Sequence, residues 1–231
     1  MREQPEQQAP PVQRLRIRYA KRGRLRFTSH RDFSRAFERA VFRARIPMAY
    51  SSGFNPHPRI SYAGAAPTGS ASEAEYVEIA LREVVDPAGV QALLAEALPD
   101  GLDVLTVVAS PGGSLADRLE ASRWLIDLAV PVAEAQAAVA TFLAADEVLV
   151  ERMTKKGLRS FDCRAAVLAL SVEAGERGSR LDVVLRHGVP SVRPDDVVTG
   201  VGLVDGAGAP LYTRLAQGPL EGDATIGDPL A

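Results

Sequence analysis

Hydrophobic and polar positions alternate with period two in Leu15-Arg16-Ile17-Arg18-Tyr19-Ala20, and more briefly in Leu25-Arg26-Phe27, with a Lys21-Arg22-Gly23 turn between them. Alternation sends successive side chains to opposite faces, which predicts strands. Ser29, with Asp32 three positions on, has the form of a capping box with a short acid, so a helix should start there. Phe33, Ala36, Phe37, Ala40, Val41 and Ala44 then follow 3/4 spacing, which predicts one buried helix face running to about Arg45, with Pro47 as the stop. A turn-rich segment, Ser51 to Pro58, leads into a strand from Arg59 to Ala63, and Glu75 to Leu81 alternates as another. Asp86-Pro87 opens a second helix with Val90, Leu93, Leu94, Ala97 and Leu98 inward, and Leu102 to Val108 reads as the last strand. The order is β-α-β-β-α-β, that of a ferredoxin-like unit.

The second half begins in the same way. Trp124 to Val130 is strand-like and Val132 to Ala145 is an Ala-rich helix. Glu147 to Met153, Cys163 to Val172 and Leu181 to Arg186 are strand-like, and Pro194-Asp195-Asp196 opens a short helix. The expected fold class is therefore α+β, a ferredoxin-like unit followed by a second, related α+β unit. The expected organisation is a disordered lead-in at 1–13, a basic unit at 14–110, a second unit at 121–215 and a disordered tail at 216–231, where Gly, Pro and Asp dominate.

Composition changes this picture in two ways. Apolar stretches break within about ten residues, short of the roughly 20 a membrane span needs. Met1-Arg2-Glu3-Gln4-Pro5-Glu6 lacks the apolar core of a signal peptide, and the single cysteine, Cys163, leaves no disulfide framework, so the expected location is the cytoplasm. The net charge of −2 hides an asymmetry: residues 1–62 hold fourteen Lys/Arg against four Asp/Glu, and the remainder holds thirteen against twenty-five. An excess of that size attracts polyanions over about 8–10 Å, the alternative being that it docks on the acidic half of the same chain or on an acidic partner.

The arginines fall in a pattern. Arg31, Arg35, Arg39 and Arg43 are spaced by four, one turn apart on a helix face, and their planar donors suit phosphates. Arg16 and Arg18 should share a strand face, as should Arg24 and Arg26. Gly53-Phe54-Asn55-Pro56-His57-Pro58 is a stiffened loop in which Phe54 and His57 could stack on splayed bases, unless Phe54 is tucked into the core. Lys155 and Lys156, in the run Lys155-Lys156-Gly157-Leu158-Arg159, would extend an anion surface or simply form a hairpin turn. Asp162 could order Arg164 or Arg159. His30 and His57 are the available general acid–base pair near the basic surface. No metal-ligand spacing, nucleotide loop, dinucleotide fingerprint or nucleophile elbow occurs, so no metal and no cofactor is implied.

The stretch Leu25 to Asp32, the helix after it, Pro47, Ser52 to Pro58 and Glu73-Ala74-Glu75-Tyr76 together resemble a bacterial domain-of-unknown-function family, the radical-SAM-associated or radical-SAM-linked one. Lys155 to Arg164 and Arg193-Pro194-Asp195 fit its second half, so the resemblance spans roughly residues 14–200. It carries no established activity. It implies a radical SAM protein as partner, because such an enzyme needs three closely spaced cysteines and this chain has one. Three functions follow as expectations: an accessory that binds RNA through Arg16, Arg18, Arg31, Arg35, Arg39, Phe54, His57, Lys155 and Lys156; a module docking on a radical SAM enzyme; or a metal-independent ribonuclease using His30 and His57.

Overall fold

Strand β1, Gln13–Lys21, alternates as its sequence requires: Leu15, Ile17 and Tyr19 enter the core, and Arg14, Arg16 and Arg18 take the opposite face. The computed structural model describes residues 7–154, 157–203 and 208–231. The chain divides into two compact units, one formed up to Ala116 together with Leu230–Ala231, the other by Asp117–Pro229.

In the first unit β1 is followed by a 3-10 turn at Gly23–Phe27, then α1 (His30–Arg43), β2 (Ile60–Ala63), β3 (Ala71–Leu81), α2 (Pro87–Ala97) and β4 (Val104–Ala109). The strands run β4-β1-β3-β2, each pair antiparallel. The 3-10 turn replaces the strand expected at Leu25–Phe27. Gly23 takes φ +55, ending the extended run, and the Leu25 and Thr28 amides then bond locally to the Arg22 and Leu25 carbonyls. Helix α1 starts as expected. The Ser29 hydroxyl accepts from the Asp32 amide at 3.2 Å and donates to the Asp32 carboxylate at 2.6 Å. Phe33, Phe37, Ala40 and Val41 from α1, with Val90, Leu94 and Ala97 from α2, close over Val77, Ile79 and Leu81 of β3. The Phe33 ring stacks on Tyr19, centroids 4.3 Å apart. Leu93, expected inward, is instead exposed, since the buried stripe of α2 is narrower than its apolar sequence.

The second unit comprises β5 (Ala121–Leu128), α3 (Val132–Ala144), β6 (Leu149–Thr154), β7 (Gly157–Asp162), β8 (Val167–Gly175), β9 (Gly178–Arg186), α4 (Pro194–Val201), β10 (Leu211–Gly218), β11 (Leu220–Glu221) and β12 (Thr225–Ile226). Its sheet runs β10-β5-β9-β8, again antiparallel, while β6 and β7 form a separate two-stranded ribbon. Counted by sheet strands in chain order, both units place the fourth beside the first, then the third, then the second.

Two expectations fail in this half. Cys163 is not inside a strand: a bend and turn separate β7 from β8, and Cys163 sits there fully buried. The segment 216–231 is not structureless. β10 continues to Gly218, β11 pairs with β12, and the Gly227 amide donates to the Pro219 carbonyl at 2.9 Å. A side chain at Gly218 would collide with the Gly227 carbonyl, so glycine here permits a close backbone approach rather than marking disorder.

Candidate nucleic-acid interface

The outward face of α1 is built by the same periodicity that builds its buried face. Successive residues turn by about 100°, so Arg31, Arg35, Arg39 and Arg43 fan across the side opposite Phe33, Phe37 and Ala40. All four are exposed, and none has an ion-pair partner among the described residues. Phe42 falls inside the same arc and leaves 82% of its surface open. An aromatic ring is thus held on a helix beside the guanidinium groups of Arg35, Arg39 and Arg43.

Two concavities flank that ring. One, of about 740 Å³, has a floor of small side chains from Ala36, Ala40 and Ala97, with Arg35, Arg39, Arg43 and Pro99 around it. The other, of about 470 Å³, is bounded by Arg45, Pro47, Tyr50, Pro58 and Arg82. Phe42 and Glu38 line both, so Phe42 is the ridge between them. Tyr50, in the second, is itself 39% exposed.

The Gly53–Pro58 loop lies beyond Tyr50. Gly53 takes φ +129, and the loop is closed by the Ser51 amide donating to the His57 carbonyl at 2.9 Å and the His57 amide donating to Ser51 Oγ at 3.1 Å. Phe54 is not tucked into the core; it is 70% exposed. His57 is exposed too.

Residues 14–194 match a bacterial family described as "uncharacterized protein conserved in bacteria" (DUF2344). The chain belongs to that family. The expected bacterial family without an assigned activity is therefore met at this level. No curated protein matches the chain. A solved structure similar to it, "Crystal Structure of a Cbf5-Nop10-Gar1 Complex", shares 14% identity at a TM-score of 0.48. The match covers 96% of this chain and 58% of that one, so the chain spans less than two thirds of its length.

In this DUF2344 member the first-quarter positive charge separates into two populations. Arg16, expected at the surface, is fully buried: its Nε donates to Glu78 Oε2 at 3.2 Å, and its Nη2 donates to the Gly112 and Gly113 carbonyls at 2.7 and 3.1 Å. Arg16 is therefore a structural cation and the surface reading is corrected. Arg18 shares its face, as alternation demands, but is half-buried and donates to the Glu73 carbonyl at 2.8 Å. Arg14 pairs with Glu78, and Arg22 with Glu73 and Asp103. Charge pairing with later acidic residues is thus real for Arg14, Arg16 and Arg22, and it occurs inside the first unit.

The other candidates divide similarly. Arg24 and Arg26 sit in the 3-10 turn rather than a strand, with Arg26 over the Phe27 ring at 4.8 Å. His30 is exposed and meets the Tyr62 ring edge-on at 5.0 Å; burial pushes that tyrosine up to about 12. No hydrogen bond or ring contact joins His30 to His57 among the described residues. Lys155 and Lys156 lie outside the described residues. Asp162 orders backbone rather than an arginine side chain, accepting from the Val148 and Arg164 amides at 3.0 and 2.9 Å. Burial pushes the Cys163 thiol up to about 11, which keeps it protonated and poorly nucleophilic at neutral pH. Among the described residues no His/Cys/Asp/Glu group is arranged to hold a metal, and no helix is long and apolar enough to cross a membrane.

Phe42 escaped the sequence reading, although its signal was present. It lies off the 3/4 apolar stripe, between Arg39 and Arg43, where a folding role for a phenylalanine is absent. Glu78 escaped because nothing in a strand sequence announces that its neighbour across the sheet is Arg16.

Proposed function

We propose that this protein is an RNA-binding accessory of the bacterial cytoplasm that acts in RNA modification or processing beside a radical SAM enzyme, and that it holds RNA on the outward face of α1. One observation carries the reading: four exposed arginines without ion-pair partners among the described residues share a helix face with an exposed phenylalanine, and three of them, Arg35, Arg39 and Arg43, line a concavity with it. Like charges spaced by four destabilise a helix by a few tenths of a kcal/mol per pair, and phosphates would offset that while meeting the bidentate donors of arginine. The Phe54/His57 loop extends the aromatic surface. The radical SAM link rests on the motif resemblance and on the lone cysteine, which leaves the chain unable to hold such a cluster through cysteines. The first unit is read as ferredoxin-like, supported by its element order and fourth-first-third-second strand order, and the second as a related unit on the same ground.

Fluorescence anisotropy of the full chain with a labelled structured RNA tests the reading. Steeply salt-dependent binding that is lost on joint Arg35→Glu and Arg39→Glu substitution is expected. Undetectable or salt-insensitive binding at low ionic strength rejects it.

A second reading has its own support. Exposed Phe and Arg are residue types enriched at protein interfaces, so α1 could dock on the radical SAM enzyme directly. Co-purification of that enzyme from cells, unaffected by ribonuclease treatment, would favour docking. The ribonuclease reading has no comparable support, because His30 packs on Tyr62 and, among the described residues, no hydrogen bond or ring contact joins it to His57.

A further inference from the structure

Phe42 is 82% exposed on the outward face of α1, so its ring contributes little to the core. It divides two concavities of about 740 and 470 Å³, both within the range of roughly 300–1,000 Å³ typical of ligand pockets. The larger has an apolar floor of Ala36, Ala40 and Ala97 behind a fence of arginines; the smaller presents the half-open Tyr50 ring. A planar apolar face and a fixed negative charge separated by a sugar are the two ends of a nucleotide. In paired RNA the base faces are covered by their neighbours in the stack, and the major groove is too deep and narrow for side chains to reach the edges. An exposed ring at the crest of a convex helix therefore has a partner only where the bases are unpaired. A protein partner fits less well, because it would have to supply carboxylates for Arg35, Arg39 and Arg43 at the centre of an interface, where charge is normally depleted.

We infer that the RNA is single-stranded where it crosses α1, with one base stacked on Phe42, the adjoining base in the concavity before Tyr50, and the connecting phosphates on Arg35, Arg39 and Arg43. This rests on the RNA-binding reading above. Glu38, on the rim of both concavities, is the acidic exception and disfavours a phosphate at that point, so the strand passes with its phosphates on the arginine side. Stacking is tolerant of base identity, which makes the site selective for unpaired structure more than for sequence.

The experiment uses the full chain and two labelled probes: a mixed-sequence single-stranded RNA of about 12 nucleotides, within the span of known single-strand sites, and the same strand annealed to its complement. Wild type should bind the single strand more tightly than the duplex. Phe42→Ala should weaken single-strand binding by about five- to 150-fold, as loss of one stacked base does, with the salt dependence unchanged. Phe42→Trp should keep wild-type affinity. An unchanged melting temperature for Phe42→Ala confirms that the loss is not one of folding. Equal affinity for both probes, or Phe42→Ala binding within twofold of wild type, overturns the inference while leaving the RNA reading in place. No salt-dependent binding of either probe overturns both this inference and the RNA reading itself.

Discussion

Arg16 stands directly opposite Glu78 in the β1–β3 register, and its Nε donates to Glu78 Oε2 at 3.2 Å with the arginine wholly out of contact with solvent. Glu78 also accepts from Arg14 Nη1 at 3.2 Å and Ser110 Oγ at 2.9 Å, while Arg16 reaches on to the Gly112 and Gly113 carbonyls. The node ties the sheet to the segment that follows β4. Removing one member of such a pair strands a buried charge, which costs about 3–5 kcal/mol, whereas replacing both with apolar groups is often near neutral. Arg16→Met should therefore lower the urea midpoint severely, and Arg16→Met with Glu78→Met should recover much of the loss. Equal instability of the single and double variants would show that the pair is not the source.

The α1 arginines should behave in the opposite way. Arg35→Ala and Arg39→Ala touch no ion pair among the described residues, so stability should stay within about 0.5 kcal/mol of wild type, with a small gain from relieved repulsion. Their effect should appear in binding. Losing two phosphate contacts should reduce the slope of log K against log salt by about 1.4–1.8. Urea denaturation and a salt titration on the same variants separate the two populations of arginine, and a flat salt response with lost stability would reverse the assignment.

What could be read in advance followed local rules. Alternation located β1 and β3, and Ser29 with Asp32 located the start of α1, because a strand's faces and a helix's first turn are decided within a few residues. Arg16 could not be placed, since arginine is rarely fully buried and only the partner strand reveals the carboxylate it meets. Leu25–Phe27 misled because three residues are too few to set a period, and Gly23 turns the chain before a ladder can form. The tail misled for a related reason: Gly218 and Gly227 look like disorder in composition, and their role depends on the backbone opposite. The candidate site was legible in its charge and hidden in its aromatic, because Phe42 lies outside the buried stripe that 3/4 spacing picks out.

A packing relation in the second unit gives a prediction with two readouts. A methyl group at Gly200 of α4 would lie 2.5 Å from Cys163 Sγ and 3.3 Å from Phe142 and Val148 side-chain atoms. Overpacking of this kind costs about 1–3 kcal/mol, so Gly200→Ala should destabilise by that amount, and adding Cys163→Ala should restore part of it. The second readout is chemical. With its thiol pushed up to about 11 by burial, Cys163 should resist thiol-specific reagents at pH 8 in the native protein and react fully in denaturant. Rapid labelling of the native protein would contradict the closed packing.

His187 makes stability depend on pH. Its Nδ1 donates to the Leu119 carbonyl at 2.7 Å, which leaves Nε2 to accept from the Ser122 hydroxyl at 2.9 Å; Ser122 Oγ in turn accepts from Trp124 Nε1 at 2.9 Å. The neutral imidazole satisfies every member of this chain. Burial holds His187 below its ordinary value of 6.5; the Leu119 hydrogen bond opposes that shift and the Arg214 charge adds to it. The unfolded chain therefore takes up the proton first as pH falls, and stability declines with it. The contribution is complete above about pH 6.5 and drains away between there and the lower folded-state value. Urea midpoints should drop from pH 7.5 to pH 5.5 in wild type. In His187→Asn, which keeps a donor toward Leu119 without a titrating ring, the drop should be smaller and the midpoint at pH 7.5 lower. Parallel pH profiles for the two proteins would remove His187 as the source.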